Sequence, residues 1–107
     1  MGDRVAEHFR LFNDAVRRND WTEFLGTFTL DAMMTFENVT AGPYEGLDAI
    51  TAAYQAQPPT GTMHLVADQR DGDLDVVTFG WDAGGGGTMR VRWRDGQVAT
   101  LAITFDE

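Results

Sequence analysis

Cysteine, lysine and serine are all missing from this chain of 107 residues. All 8 basic residues are arginines, and every side-chain alcohol outside tyrosine belongs to threonine. Without a thiol there is no thiolate nucleophile, no disulfide and no cysteine-held metal. Without lysine there is no Schiff base or phosphate-loop ammonium, and without serine no seryl acyl-enzyme. Any catalysis is left to carboxylates, 2 histidines, 2 tyrosines, threonine or backbone. Long apolar runs are missing as well. None approaches the ~20 residues of a membrane span, and Met1-Gly2-Asp3-Arg4 does not lead into a signal-peptide core.

What is abundant is acid. The 17 Asp and Glu outnumber the arginines and leave a net charge of −9. Such a surface repels phosphate backbones and anionic membrane surfaces, so neither nucleic acid nor membrane is expected as a partner. The charge reads as a solubility device, and cytoplasm is the default compartment. An apolar content of 43% suits one globular domain spanning 1–107, which at this length buries roughly two-thirds of its unfolded surface.

From Asp3 to Arg18 the residues Val5, Phe9, Phe12 and Val16 recur at helical steps, with charges opposite, so an amphipathic helix is predicted. His8, beside Glu7, is read as solvated on its polar side. Asp20-Trp21-Thr22-Glu23 has the form of a capping box opening a second helix that carries Trp21, Phe24, Leu25 and Phe28 on one side. Ala32 to Glu37 reads as a buried strand, Asn38 to Gly46 as a loop, and Leu47 to Gln55 as a third helix stopped by Pro58-Pro59. Four strands follow at 62–69, 74–81, 88–94 and 98–105, two of the turns between them marked by Asp-Gly. Helices first and an antiparallel meander after them make an α+β fold.

Strand parity sorts the faces. Met89, Val91 and Trp93 oppose Arg90, Arg92 and Arg94; Leu101, Ile103 and Phe105 oppose Thr100, Ala102 and Thr104. One sheet face is therefore large and apolar and needs cover, which the helices supply.

The order helix, helix, strand, helix and four meandering strands resembles the nuclear-transport-factor-like superfamily, home of ketosteroid isomerases and SnoaL-like polyketide cyclases. The local carriers are Asp20, Phe28, Asp31, Pro43, Tyr44, Gly46, Ile50 and Tyr54, with "VRWRDGQVATLAITF" similar to the family's final hairpin. The resemblance implies a cone-shaped roll, three N-terminal helices packed in a curved antiparallel sheet around an apolar pocket. It also implies a homodimer through the sheet's outer face, where Thr100, Ala102 and Thr104 form a flat strip.

Counted back from Pro43 and Gly46, Glu37 falls where the isomerases carry their general-base aspartate; counted forward from Asp20, Phe36 falls there instead. A carboxylate in an apolar cavity is a strengthened base, suited to proton removal beside a carbonyl. The isomerases' oxyanion donors fall near Phe12 and Met89, neither of which can donate a hydrogen bond. His64, on the first meander strand, is the second candidate for acid–base work. Phe12, Phe28, Met34, Tyr54, Trp81, Met89 and Trp93 are the expected pocket walls, suited to an apolar ring-shaped small molecule.

No metal or cofactor is expected. The histidines lack paired spacing, and Asp71, Asp73 and Asp75 alternate without the rest of a calcium loop. The glycine run 84–87 joins two strands, so it has no helix N-terminus for phosphate and reads as a turn at the pocket mouth. The expected function is small-molecule binding, with isomerisation, cyclisation or hydration of a polyketide-like or terpenoid compound as the accompanying chemistry. The rival is a non-catalytic dimeric binding or interaction module whose pocket is filled by its own side chains.

Overall fold

The computed structural model describes residues 4–106. Its elements run α1 (Arg4–Arg18), α2 (Thr22–Leu25), β1 (Phe28–Phe36), β2 (Tyr44–Glu45), α3 (Leu47–Ala56), β3 (Met63–Asp71), β4 (Leu74–Trp81), β5 (Gly86–Arg94) and β6 (Gln97–Phe105). The six strands form one sheet in the order β2-β1-β6-β5-β4-β3. The meander β3 to β6 is antiparallel throughout. β1 differs, running parallel to β6 and making the sheet mixed. No hairpin joins these two strands, so no short turn dictates their relative direction.

The second helix is shorter than its apolar spacing suggests. It ends at Leu25, and Phe28 belongs to β1. Gly26 caps α2, and Phe28 pairs with Val98 across the sheet. The expected capping box does not form: Trp21 is the N-cap without a side-chain cap hydrogen bond, and Asp20 just before it accepts the Thr22 amide at 3.1 Å, a contact that holds its carboxyl below the usual range.

Register shifts on β1, β3 and β6 bend the sheet. Its concave face carries Met34, Val77, Phe79, Met89, Val91, Trp93, Leu101 and Ile103, all buried in the core cluster with Val5, Phe9, Phe12, Phe24, Ile50 and Tyr54 of the helices. Arg90, Arg92 and Arg94 point outward as alternation requires, pairing with Glu37, Asp73 and Asp31. Such exposed pairs contribute little each.

The glycine run divides in two. Gly84 and Gly85 take positive φ in the β4–β5 turn, whereas Gly86 and Gly87 are strand residues chosen for closeness. A Cβ on Gly86 would lie 2.2 Å from the Phe79 carbonyl oxygen, and one on Gly87 2.3 Å from that of Thr104. Those neighbours are backbone and cannot swing away. Gly86→Ala is expected to destabilise by about 3 kcal/mol, at the top of the overpacking range, lowering Tm by roughly 10 °C or more. Gly61→Ala, whose nearest contact would be an ordinary 3.7 Å, is the control in the same melting series; equal Tm values for the two variants would refute the close-approach argument.

Candidate functional site

Strand direction decides where space remains. β1, β4 and β6 end, and β3 and β5 begin, at one rim of the sheet. The loops at that rim contribute Ala41, Gln57, Thr60, Gly61, Ala83 and Gly84 to the opening of a cavity of about 490 Å³. Its walls are Phe12, Phe36, Met34, Tyr44, Tyr54, Met63, Phe79, Trp81, Met89, Leu101, Ile103 and Phe105, with His8 and Phe24 deeper in. Phe36, Trp81 and Phe105 stack near the rim, their centroids 5.8 and 6.4 Å apart in the two successive pairs.

The opposite end is closed by a different set. Trp93 and Phe28, expected as pocket walls, do not line the cavity; they are buried at the far ends of β5 and β1, a strand's length from the rim. There Trp93 Nε1–H donates to Asp75 Oδ2 at 2.9 Å, and Arg4 donates to the same oxygen at 2.8 Å. The Arg4 guanidinium also lies 5.1 Å from the Trp93 ring centroid. Burial works to raise the Asp75 pKa, but the hydrogen bonds from Arg4 and Trp93 and the nearby Arg4 and Arg70 charges outweigh it, so the carboxyl sits below its ordinary value.

The remaining expected residues separate by face. Phe12, Met34, Tyr54, Trp81 and Met89 line the cavity. Glu37 and His64 do not. Glu37 lies past the end of β1 with its side chain about half exposed, accepting from Thr104 Oγ1 at 3.1 Å and Arg90 at 3.4 Å on the outer face. Phe36, the other register candidate, turns inward in its place. His64 lies across the glycine at position 80, where a Cβ would come within 2.7 Å of its Nε2. Its Nδ1 meets Asp82 Oδ1 at 2.7 Å, with the pair about half exposed. No aspartate or glutamate lines the cavity among the described residues.

His8 reverses its expectation. It is 5% exposed rather than solvated, packed against Phe24 at 5.0 Å and against Phe9, Phe28 and Trp93 at 6.4 to 6.5 Å between ring centroids. Its Nδ1 is buried without a hydrogen-bond partner. Burial alone depresses its pKa to about 4, so at neutral pH the imidazole is uncharged. The signal was in the spacing: position 8 is three residues after Val5 and four before Phe12, on the same helical stripe. Tyr54, four residues after buried Ile50, stacks on Trp21 at 4.9 Å, and burial pushes its phenol above the ordinary range.

Among the described residues no group of three or more histidine, aspartate or glutamate side chains is placed to hold a metal, and no helix is long and apolar enough to cross a membrane.

A helix-lined cone with its opening at one sheet rim is the architecture of the nuclear-transport-factor-like proteins. The chain belongs to the SnoaL-like domain family, whose model matches residues 9–102. Solved structures of the same fold include a candidate ketosteroid isomerase from Kribbella flavida, 18% identical, aligned over 97% of this chain and 78% of that one with a TM-score of 0.76. A candidate polyketide cyclase from Sinorhizobium meliloti is 21% identical, over 95% and 99% of the two chains, with a TM-score of 0.70. TerC, co-crystallised with polyporic acid, is 18% identical over 97% and 92%, with a TM-score of 0.73. At these identities the likeness establishes the fold alone. No curated protein matches the sequence.

Proposed function

We propose that this SnoaL-like domain binds a neutral, apolar, ring-shaped small molecule of polyketide or terpenoid character inside the cone. The carrying observation is the cavity itself: about 490 Å³, open at one rim and walled by aromatic and methionine side chains without a carboxylate among the described residues. That volume is in the range of small-molecule sites, and the methionines adapt to irregular shapes. TerC's co-crystallisation with polyporic acid on the same scaffold supports the reading. Binding is proposed rather than carboxylate-catalysed isomerisation because Glu37, the best base by position, lies on the outer face. The same reading carries a homodimer through that face, using the Thr100, Ala102 and Thr104 strip.

The test uses tetralin, a two-ring hydrocarbon, followed by calorimetric titration. Wild type is expected to bind it, and Met89→Trp, which fills the cavity wall, to weaken binding roughly fivefold or more, as overpacking by about 1–3 kcal/mol implies. Glu37→Gln is expected to bind as wild type does, because its exposed pairing contributes under about 1 kcal/mol. Failure of wild type to bind, or equal binding by Met89→Trp, would contradict the proposal.

A further inference from the structure

The walls of the cavity are almost wholly apolar, yet one polar side chain deep within it, His8, leaves a ring nitrogen without a hydrogen-bond partner. His8 is 5% exposed, has a sealed and unpartnered Nδ1, and lines the cavity. Tyr54, 9% exposed, lines it too. Both pack against one ring, Phe24, at centroid distances of 5.0 Å for His8 and 5.7 Å for Tyr54. A polar group buried without a partner costs stability, so His8 in the wall of a cavity needs an explanation.

Imidazole chemistry narrows it. A neutral ring carries one N–H and one lone pair. Stranding an N–H in a sealed apolar site costs more than leaving a bare lone pair there, as the rarity of orphaned buried donors attests. The proton therefore sits on Nε2, and Nδ1 keeps its lone pair. Tyr54, held protonated by burial, also has a hydrogen to give. Around His8 stand the aromatic rings Phe9, Phe24, Phe28 and Trp93, around Tyr54 stand Trp21 and Phe24, and no arginine or acid lines the cavity among the described residues. An ionised ligand would be buried there without a counter-charge.

We propose that His8 Nε2–H, assisted by the Tyr54 hydroxyl, is the donor site that receives a carbonyl oxygen of the bound ring compound, which makes the preferred ligand class a neutral cyclic ketone or quinone. This rests on the cavity being a ligand site and specifies what that site selects. It also supplies what the resemblance to ketosteroid isomerases lacked. The positions equivalent to their donors hold Phe12 and Met89, but a donor stands one helical turn before Phe12 and another on α3. His8 and Tyr54 would then polarise a carbonyl without protonating it.

The experiment compares 1-tetralone with tetralin, the same two rings with and without the carbonyl, in wild type, His8→Phe and His8→Gln. The ketone-to-hydrocarbon affinity ratio is expected to fall about fivefold to tenfold in His8→Phe, the loss of one neutral hydrogen bond, while tetralin still binds. His8→Gln, which retains an N–H donor, is expected to recover part of the ratio. On wild type alone, ¹⁵N NMR of the imidazole should show the Nε2–H tautomer, with its proton moving downfield when 1-tetralone is added. That readout stands even if neither variant folds. Should both compounds bind while the ratio is unchanged in a folded His8→Phe, or should His8 be the Nδ1–H tautomer and unresponsive to ketone, this inference fails and the cavity proposal survives. If neither compound binds wild type, both fail.

Discussion

Acidification from pH 6.5 to 4 is expected to remove about 3 kcal/mol of folding stability through His8 alone. The folded imidazole has its pKa depressed from 6.5 to about 4 by burial, whereas the unfolded chain leaves it in water. Between those values the unfolded state takes up a proton that the folded state refuses. Stability therefore falls as pH drops through that window and is insensitive to His8 above and below it. At 1.36 kcal/mol per pKa unit, a gap of some 2.5 units gives the stated magnitude. Carboxylates begin to titrate near the lower limit, so the informative quantity is the difference between wild type and His8→Phe. Urea unfolding at pH 7.0 and 4.5 should show a steeper loss in wild type than in His8→Phe. Parallel losses in wild type and His8→Phe would show that His8 is not buried and neutral.

Asp75→Ala is expected to cost about 3 kcal/mol at pH 7. Removing one member of a buried ion pair typically costs 3–5 kcal/mol, because the partners are left uncompensated. The lower end applies here, since the Arg4 side chain is 28% exposed and Arg70 more so, and both can turn to water. Trp93 has no such escape; its indole N–H is buried and loses its acceptor. Asp75→Asn keeps an acceptor oxygen for Trp93 and should lose less. The carboxyl's pKa is lowered in the fold, so its stabilisation is present above the unfolded pKa near 4 and is lost as pH falls below it. Denaturant unfolding of both variants at pH 7 checks this, and a cost within about 0.5 kcal/mol for Asp75→Ala, the range of an ordinary surface change, would remove the cluster from its role as the closed end's lock.

These two residues also mark what could and could not be seen in the sequence. Period-2 alternation placed Met89, Val91, Trp93, Leu101 and Ile103 on apolar faces, and all are buried there. Asp75, two residues before Val77, shares the inward face of β4, but alternation says nothing of a partner 71 residues away on α1. The cavity was harder. Which inward residues line open space depends on their height along the strands, so Met89 and Trp93 share a face and only Met89 reaches the cavity. His8 was hidden by its type: a histidine beside Glu7 reads as polar surface, although its spacing from Val5 and Phe12 put it inside. Glu37 was misleading for the opposite reason. One residue of register separates it from Phe36, and in a strand one residue changes the face.

The methionines report directly whether an apolar ligand enters the cone. Met34, Met63 and Met89 line the cavity, whereas Met33, one residue from Met34, faces out and is 37% exposed. With ¹³C-methyl-labelled methionine and 1-tetralone titrated into wild type, the predicted result is saturating shifts at Met34, Met63 and Met89 with Met33 unmoved. Shifts confined to Met33, or none at any methionine, would contradict it.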